Sequence, residues 1–365
     1  MKILHYYPTD PQGVIAPYVI MLCEGMGLEC TNERTPSASE AMQHLRNSHY
    51  DILHIHGCWH NSLWRIGRTA LSAGTRLVVS PHGQLEPWVA GQNYWKEKLP
   101  KTVAYQRGIV RRAYAVVVQG KMEEECIRRL GWNPRTVVVR NCLVTQSTTR
   151  RDMTRQHFLL YRRVMDSNPL ELMTDSTRLT LRQLLKAGIT GDARWLREQC
   201  VNIADPDQWR LVYCYARQEH IEDVVRQGLQ LLRLDAPDMD ISQSECFQPA
   251  GYEESEPIER AIGMQFETEN KRLIATFRHL RKLAQHRTLA ISHLVELDRE
   301  LRYHDADEDL LAEQLQERCL DKLAGCIMQL MAEQTGLDEG YMPVAPISDR
   351  TTRRMRQQIE NHLKI

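Results

Sequence analysis

One candidate for acid–base chemistry is a histidine that lies between a proline and a glycine. The segment SPHG, residues 80–83, follows the β-branched run LVV and precedes a basic, helix-forming stretch. The pKa of an imidazole lies near neutrality, so His82 could orient a hydroxyl group and take up its proton. Alternatively, His82 is a turn residue whose ring makes one backbone hydrogen bond. The residue types alone leave both interpretations open.

A second histidine-rich stretch, HIHGCWH, covers residues 54–60. Alternate residues of a strand share a face, and histidine and cysteine are zinc ligands. A metal site would use His54, His56, Cys58 and His60. We expect Gly57 to end the strand, however, so the row need not continue beyond it. We therefore predict no metal site in this stretch. We also predict no cofactor for the protein, and we expect His56 and Trp59 to line a cleft.

The elements that must position these residues alternate between strands and helices in the first part of the chain. Apolar, β-rich runs predict strands in KILHYY, LECTNE, DILHIHG, RLVVSPHG, AYAVVVQG and RTVVVRN, the second of them weakly. Helical patterns lie at about residues 14–26, 37–46, 62–73, 94–112 and 121–130. This order is typical of an α/β, Rossmann-like parallel sheet, with ligands beyond the carboxyl ends of its strands. Those ends carry His56–Gly57, His82–Gly83, Gly120 and Asn141.

Three glutamates, Glu123 to Glu125, follow the strand AYAVVVQG directly. Acidic residues in the first turn of a helix complement its dipole. We expect this to be their role.

The remainder of the chain reads as helices. Amphipathic patterns such as ARWLREQC and LLAEQLQERCLDKLAGCIMQL have the helical period and no strand between them. We predict a Rossmann-like domain at residues 1–146 and an all-α domain at residues 147–365. An acidic, proline-containing stretch at residues 235–258 is predicted to be a loop within the helical domain.

The length, charge and cysteine content of the chain limit the classes of protein to which it can belong. A chain of 365 residues favours two domains. Its zero net charge divides into about +7 for residues 1–150 and about −7 for the rest, which indicates a basic surface on one domain and an acidic one on the other. The chain has no apolar run long enough to span a membrane, and from its first residues we expect no secretory leader. Ten cysteines without a C-x-x-C pair favour reduced thiols and a cytoplasmic location.

Four segments stand in a characteristic order along residues 1–145: MKILHYYP with QGVIAPYVIMLCEGM, YDILHIHGCW, LVVSPHGQLEPW with the basic stretch after it, and TVVVRNC. Together they resemble the acceptor-type half of a family 4 glycosyltransferase of the GT-B fold. The resemblance implies half of a GT-B fold and a sugar transferase of polysaccharide or glycolipid biosynthesis. It also implies a lipid-linked or saccharide acceptor.

The resemblance implies roles for particular residues. His82 matches a histidine that lies near the acceptor and the transferring sugar, so it is the candidate catalytic residue. His56, Gly57, Trp59, His82 and Gly83 would contact the acceptor. Gly13 stands where the family brings its backbone close to a diphosphate, although the loop here has one glycine instead of two. A strand-to-helix turn glycine is the alternative for Gly13.

The donor half of such an enzyme is not recognised in the sequence. In the family it is a second Rossmann domain with two glutamates spaced E-x7-E. Glu259 and Glu267 have that spacing, but no strand is predicted before them. If the protein is an enzyme, a partner protein would supply the donor domain. The alternative is a non-catalytic, degenerate glycosyltransferase domain fused to a helical interaction or regulatory domain.

An aromatic and basic segment lies between the predicted strands RLVVSPHG and AYAVVVQG. In family members that act on lipid-linked acceptors, such a segment contacts the membrane, and aromatic and cationic side chains suit an anionic interface. The candidate contact residues are Trp95, Lys96, Lys98, Lys101, Arg111 and Arg112. Alternatively, the segment is a solvated helix with Val103, Ile109 and Val110 in the core. We expect no nucleic-acid binding, because the remainder of the chain is acidic.

Overall fold

The computed structural model describes residues 1–8, 13–27, 29–193, 196–200, 203–242, 244–249, 256–263 and 265–365. The chain divides into two compact units, Met1–Met165 and Asp166–Ile365. No helix among the residues so described is both long and apolar enough to cross a membrane.

The first unit is built on a six-stranded, wholly parallel sheet with the order β2-β1-β3-β4-β5-β6. The strands are β1 (Lys2–Tyr6), β2 (Thr31–Thr35), β3 (Ile52–His56), β4 (Arg76–Ser80), β5 (Ala115–Val118) and β6 (Thr136–Val138). The weakly predicted strand is β2, at one edge. The predicted Rossmann-like sheet is thus confirmed.

Helices cover the sheet of the first unit. They are α1 (Ile15–Gly25), α2 (Ala38–Asn47), α3 (Asn61–Ser72), α4 (Pro87–Gly91), α5 (Leu99–Lys101), α6 (Arg107–Arg112), α7 (Lys121–Leu130) and α8 (Arg150–Asp166). Two π-helical turns, Tyr94–Lys98 and Thr102–Gln106, flank α5. A π turn holds an extra residue, so the basic segment is an irregular helix.

The two faces of the sheet differ because successive side chains of a strand point to opposite sides. One face contributes Leu4, Leu53 and Leu77 to an apolar core. The other carries the buried histidines His5 and His54, which are register partners in β1 and β3. The site described below lies on this polar face.

Helix α8 lies within the first unit up to Met165, whereas the sequence analysis placed the domain boundary after residue 146. Two of its residues, His157 and Tyr161, are fully buried against the polar face of the sheet. The guanidinium of Arg76, at the start of β4, also donates to the main-chain carbonyls of Val164 and Met165. These contacts attach the helix to the sheet.

The second unit is helical, and no β-strand occurs among its described residues. Its helices are α9 (Pro169–Leu172), α10 (Asp175–Thr190), α11 (Pro206–Gln218), α12 (Glu222–Leu232), α13 (Ile258–Ile262), α14 (Glu269–His286), α15 (Ile291–Tyr303), α16 (Glu308–Glu317), α17 (Asp321–Gln334) and α18 (Arg350–Glu360). Short 3-10 helices are Arg197–Gln199 and Glu339–Tyr341. The predicted helical region is confirmed. Of the predicted acidic loop, residues 235–242 and 244–249 have no helix or strand.

Glycines allow α10 and α12 to cross in close contact. A Cβ atom on Gly188 would collide with the Val224 carbonyl, and one on Gly228 with the Leu184 carbonyl. Only glycine brings two helix backbones this close, because any side chain at the crossing must displace main-chain atoms.

Candidate functional site

The site forms where β3 and β4 end. The chain after β4 turns at His82 and Gly83, which have φ angles of 55° and 78°. The chain after β3 turns at Gly57, with φ 93°, and at Trp59, with φ 69°. A non-glycine residue in this region costs on the order of 1–3 kcal/mol. Each of the two neighbouring loops has one such residue, His82 or Trp59. Strained backbone of this kind clusters at functional sites.

The imidazole of His82 is held from three sides. Its Nε2 lies 2.9 Å from Nδ1 of His56, and its Nδ1 lies 2.8 Å from the amide nitrogen of Gln119. The ring of Tyr18, from α1, meets it edge-on at a centroid distance of 4.8 Å. His82 is half-buried, while His56 is fully buried. His82 is therefore the outer member of a buried polar cluster and more than a turn residue with one backbone hydrogen bond.

The inner members of the cluster are uncharged imidazoles. Burial lowers the pKa of His5 to about 3 and holds the pKa values of His54 and His56 well below the usual imidazole range. Nearby histidines lower the pKa of His56 further, because a charge on one ring disfavours a charge on the next. At neutral pH these three rings are neutral hydrogen-bonding groups.

Helix α8 completes the polar face. The Tyr161 hydroxyl lies 2.7 Å from Nδ1 of His54, whose Nε2 lies 2.6 Å from the Ser80 hydroxyl. His157 binds the Tyr18 hydroxyl at 3.0 Å, and its pKa is lowered to about 4 by burial. Neither α8 residue is predicted from the sequence, because both lie about 100 residues beyond β3, which they cover.

Of the four residues that the sequence offers as metal ligands, the fold brings His54 and His56 together, and the third member of the cluster is His5. His5, His54 and His56 have ring nitrogens within 4.8 Å of one another. Each of their six ring nitrogens already has a hydrogen-bond partner in the protein. Cys58 instead accepts a hydrogen bond from Gln106, at 3.3 Å.

A signal for His5 was present in the sequence. The segments KILH and DILH both carry histidine after Ile-Leu, and the two strands pair in register. In adjacent parallel strands, matching positions lie side by side on one face. Comparing the two segments would have placed His5 beside His54.

The loop after β3 is fixed by two glutamines. Gln84 accepts a hydrogen bond from the Cys58 amide at 2.6 Å, and its carbonyl accepts the Trp59 indole N–H at 3.1 Å. Gln106 accepts from the Trp59 amide at 2.9 Å. Trp59 is thus a half-buried member of the site, and Gly57 is buried below it. Neither glutamine was singled out from the sequence.

Gly13, the candidate phosphate contact, is exposed, with φ 68° and no atom within 4 Å of a Cβ built there. Its positive φ favours glycine. Residues 9–12, just before it, lie outside the described part of the chain.

Glu123 supports the His82 loop from below. It is fully buried, and its Oε1 accepts a hydrogen bond from the Leu85 amide at 3.2 Å. Burial raises the pKa of this carboxyl to about 7. The sequence alone predicts only a place for Glu123 in the first turn of a helix, since its burial depends on the packing of the loop above it.

The aromatic and basic segment is largely exposed. Trp95 is 79% exposed and Val103 is 78% exposed, whereas Ile109 and Val110 are buried. Lys98 differs from the predicted set because it is buried, donates to the Val89 carbonyl and lies 5.6 Å from the Trp59 ring centre. The Lys98 ammonium group therefore binds the neighbouring loop and does not contribute to an exposed basic surface.

The other predicted contact residues of this segment differ in their partners. Lys101 pairs with Glu97 at 2.8 Å, and Arg112 lies 5.5 Å from the Trp64 ring centre. Lys96 and Arg111 are exposed. The segment thus presents apolar and cationic side chains to solvent.

Part of the first unit is similar to a known protein family. A family model described as a glycosyl transferase 4-like domain matches residues 30–142. Residues 30–142 of the first unit are thus similar to a glycosyltransferase 4-like domain. The match includes β2 to β6, the His82 loop and Glu123. No curated protein and no solved structure matches the chain significantly.

Proposed function

We propose that the glycosyltransferase 4-like unit is the acceptor-side half of a sugar transferase in polysaccharide or glycolipid biosynthesis. The observation that carries this proposal is His82, which a strained turn holds at the carboxyl end of the sheet with buried histidines behind it. Ligands of open α/β sheets bind at these strand ends. His56, Gly57, Trp59 and Gly83 would shape the acceptor site, with His56 acting through His82 because it is fully buried.

The proposed chemistry is transfer of a sugar from a nucleoside diphosphate to an acceptor hydroxyl. The hydroxyl oxygen bonds to the sugar carbon, and the diphosphate leaves with the electron pair of the broken bond. The acceptor proton passes to Nδ1 of His82, where it would displace the Gln119 amide. Gly13 is the proposed point of approach for the diphosphate.

The donor half is proposed to come from a partner protein. Support comes from the second unit, whose described residues form helices and no strand. Glu259 lies in the short helix α13, and Glu267 is exposed and paired with Lys271, so neither glutamate follows a strand end as in the family.

Calorimetry with UDP-glucose and GDP-mannose tests the missing donor site. We expect no saturable binding to the isolated chain, and saturable binding of either sugar nucleotide would contradict the proposal. A complex purified from native cells should bind one of them.

The exposed part of the aromatic and basic segment is proposed to touch an anionic membrane surface, in keeping with a lipid-linked acceptor and a location on the cytoplasmic face. Trp95 and Lys96 are the strongest candidates, because both side chains are exposed. Arg111 and Arg112 would add electrostatic attraction.

A second candidate function is a non-catalytic binding module with a helical interaction domain. One observation favours it: both ring nitrogens of His82 have partners within the chain. One result distinguishes the two candidate functions: only a sugar transferase would transfer sugar in a complex with a donor-domain protein.

A further inference from the structure

Five side chains form one continuous line of hydrogen bonds through the first unit. Gln119 Nε2 lies 2.8 Å from His82 Nδ1, and His82 Nε2 lies 2.9 Å from His56 Nδ1. His56 Nε2 then lies 3.1 Å from His5 Nδ1, and His5 Nε2 lies 3.3 Å from Oδ1 of Asn32. We call these five residues the imidazole line. It runs from the His82 loop to the edge strand β2.

The two ends of the imidazole line have fixed and opposite roles. Asn32 donates its amide N–H to the Cys30 carbonyl at 3.1 Å, which turns its Oδ1 toward His5. A carbonyl oxygen can only accept, so His5 must donate from Nε2. At the other end, the Gln119 amide nitrogen can only donate, so His82 must accept at Nδ1.

A neutral imidazole has one donor and one acceptor nitrogen, so the ends determine the tautomers between them. If His5 donates from Nε2, its Nδ1 accepts and His56 donates from Nε2. Nδ1 of His56 then accepts from Nε2 of His82. The two ends independently require the same direction, and all three rings carry their proton on Nε2.

We propose that Asn32 is a positioning residue that fixes the tautomer of His82 through His5 and His56. In this tautomer the basic lone pair of His82 is on Nδ1, on the Gln119 side, and not on the buried side. The consequence for sugar transfer rests on the proposed function, whereas the tautomer itself does not.

The buried rings also confine a proton taken up by the line. Burial disfavours a positive charge on His56 and His5. A proton accepted at Nδ1 of His82 therefore stays on that half-buried ring. His56 accepts its Nε2–H as a neutral group, which orients the ring without a buried carboxylate.

Nitrogen NMR of the full chain, labelled with 15N in its histidine rings, tests this proposal directly. Single substitutions at His5, His56 and His82 assign the signals. In the wild-type protein at neutral pH, we expect protonated Nε2 and bare Nδ1 at all three rings. A wild-type His82 that carries its proton on Nδ1 would overturn the proposal.

Substitutions at the two ends give the line a second test. Because the Gln119 donor alone would still favour the same tautomer, this test uses a Gln119→Leu background. There, Asn32→Leu removes the remaining polar end, so the ratio of His82 tautomers should shift at least about tenfold toward Nδ1–H relative to Gln119→Leu alone. Asn32→Asp keeps an acceptor at that end and should retain the wild-type tautomer. An unchanged ratio in the folded double variant would contradict the role of Asn32.

Gln119→Glu provides a variant at the half-buried end, where a change of packing is better tolerated. It places an acceptor at both ends, which three neutral rings cannot satisfy. One ring should therefore become doubly protonated at neutral pH, and no such ring should appear in the wild type. If all three rings of Gln119→Glu stay neutral while the new carboxyl is ionised, the continuous line is refuted. These spectra need no activity, so they separate this inference from the proposed function.

Discussion

Replacing the buried carboxyl of Glu123 by an amide should stabilise the first unit at neutral and alkaline pH. Glu123 is fully buried, and burial raises its pKa from 4.5 to about 7. Ionising it in the folded protein is therefore costly, and a shift of this size corresponds to about 3 kcal/mol. Glu123→Gln removes that cost and keeps an oxygen that accepts the Leu85 amide.

The sign of the pH dependence follows from which state binds the proton more tightly. The folded state does so here, because its pKa is the higher one. The ionisation cost is absent below pH 4.5, grows as the pH rises toward 7 and is fully present above it. Glu123→Gln should therefore match the wild type near pH 4.5 and exceed its free energy of unfolding by up to about 3 kcal/mol at pH 8.

Urea unfolding at several pH values, followed by tryptophan fluorescence, measures this difference. Five of the seven tryptophans lie in residues 1–165, so the signal reports mainly on the first unit. Glu125→Gln changes an exposed carboxyl of the same helix and should leave the pH dependence unaltered. A Glu123→Gln variant that follows the wild type at every pH, or that is less stable at pH 8, would refute the reasoning.

Two further predictions concern a helix crossing and the exposed segment. Gly228→Ala should lower the free energy of unfolding of the second unit by about 1–3 kcal/mol in urea titrations, because the added methyl meets a main-chain carbonyl. Gly340→Ala, with open space around it, should change stability little, and equal effects would contradict the crossing. Trp95→Ser with Val103→Ser should weaken sedimentation with phosphatidylserine vesicles several-fold. The control Val144→Ser removes an equally exposed valine and should bind as the wild type does.

The sheet could be predicted from the sequence because its strands are continuous apolar runs between helical patterns. Each run is long enough to identify by composition, and even the edge strand β2 falls close to the weakly predicted LECTNE. The positions of His56 and His82 at strand ends followed from the same pattern. These are local properties of the chain.

The arrangement around His82 could not be predicted, because it depends on contacts between distant residues. Tyr161 meets His54 from a helix that the sequence analysis placed in the other domain. Glu123 is buried only because the His82 loop covers it. Val103, which a regular helix would place in the core, is exposed in a segment whose π turns alter the helical period.

Sugar transfer by a native complex tests the central claim most directly. The complex would be purified from native cells that carry either the wild-type chain or His82→Ala, and transfer would be measured from radiolabelled sugar nucleotides. His49→Ala, at an exposed histidine, serves as the matched control. We predict transfer by the wild-type and His49→Ala complexes, none by the isolated chain, and a loss of about 100- to 10,000-fold in His82→Ala. Equal transfer by the His82→Ala complex would contradict the account.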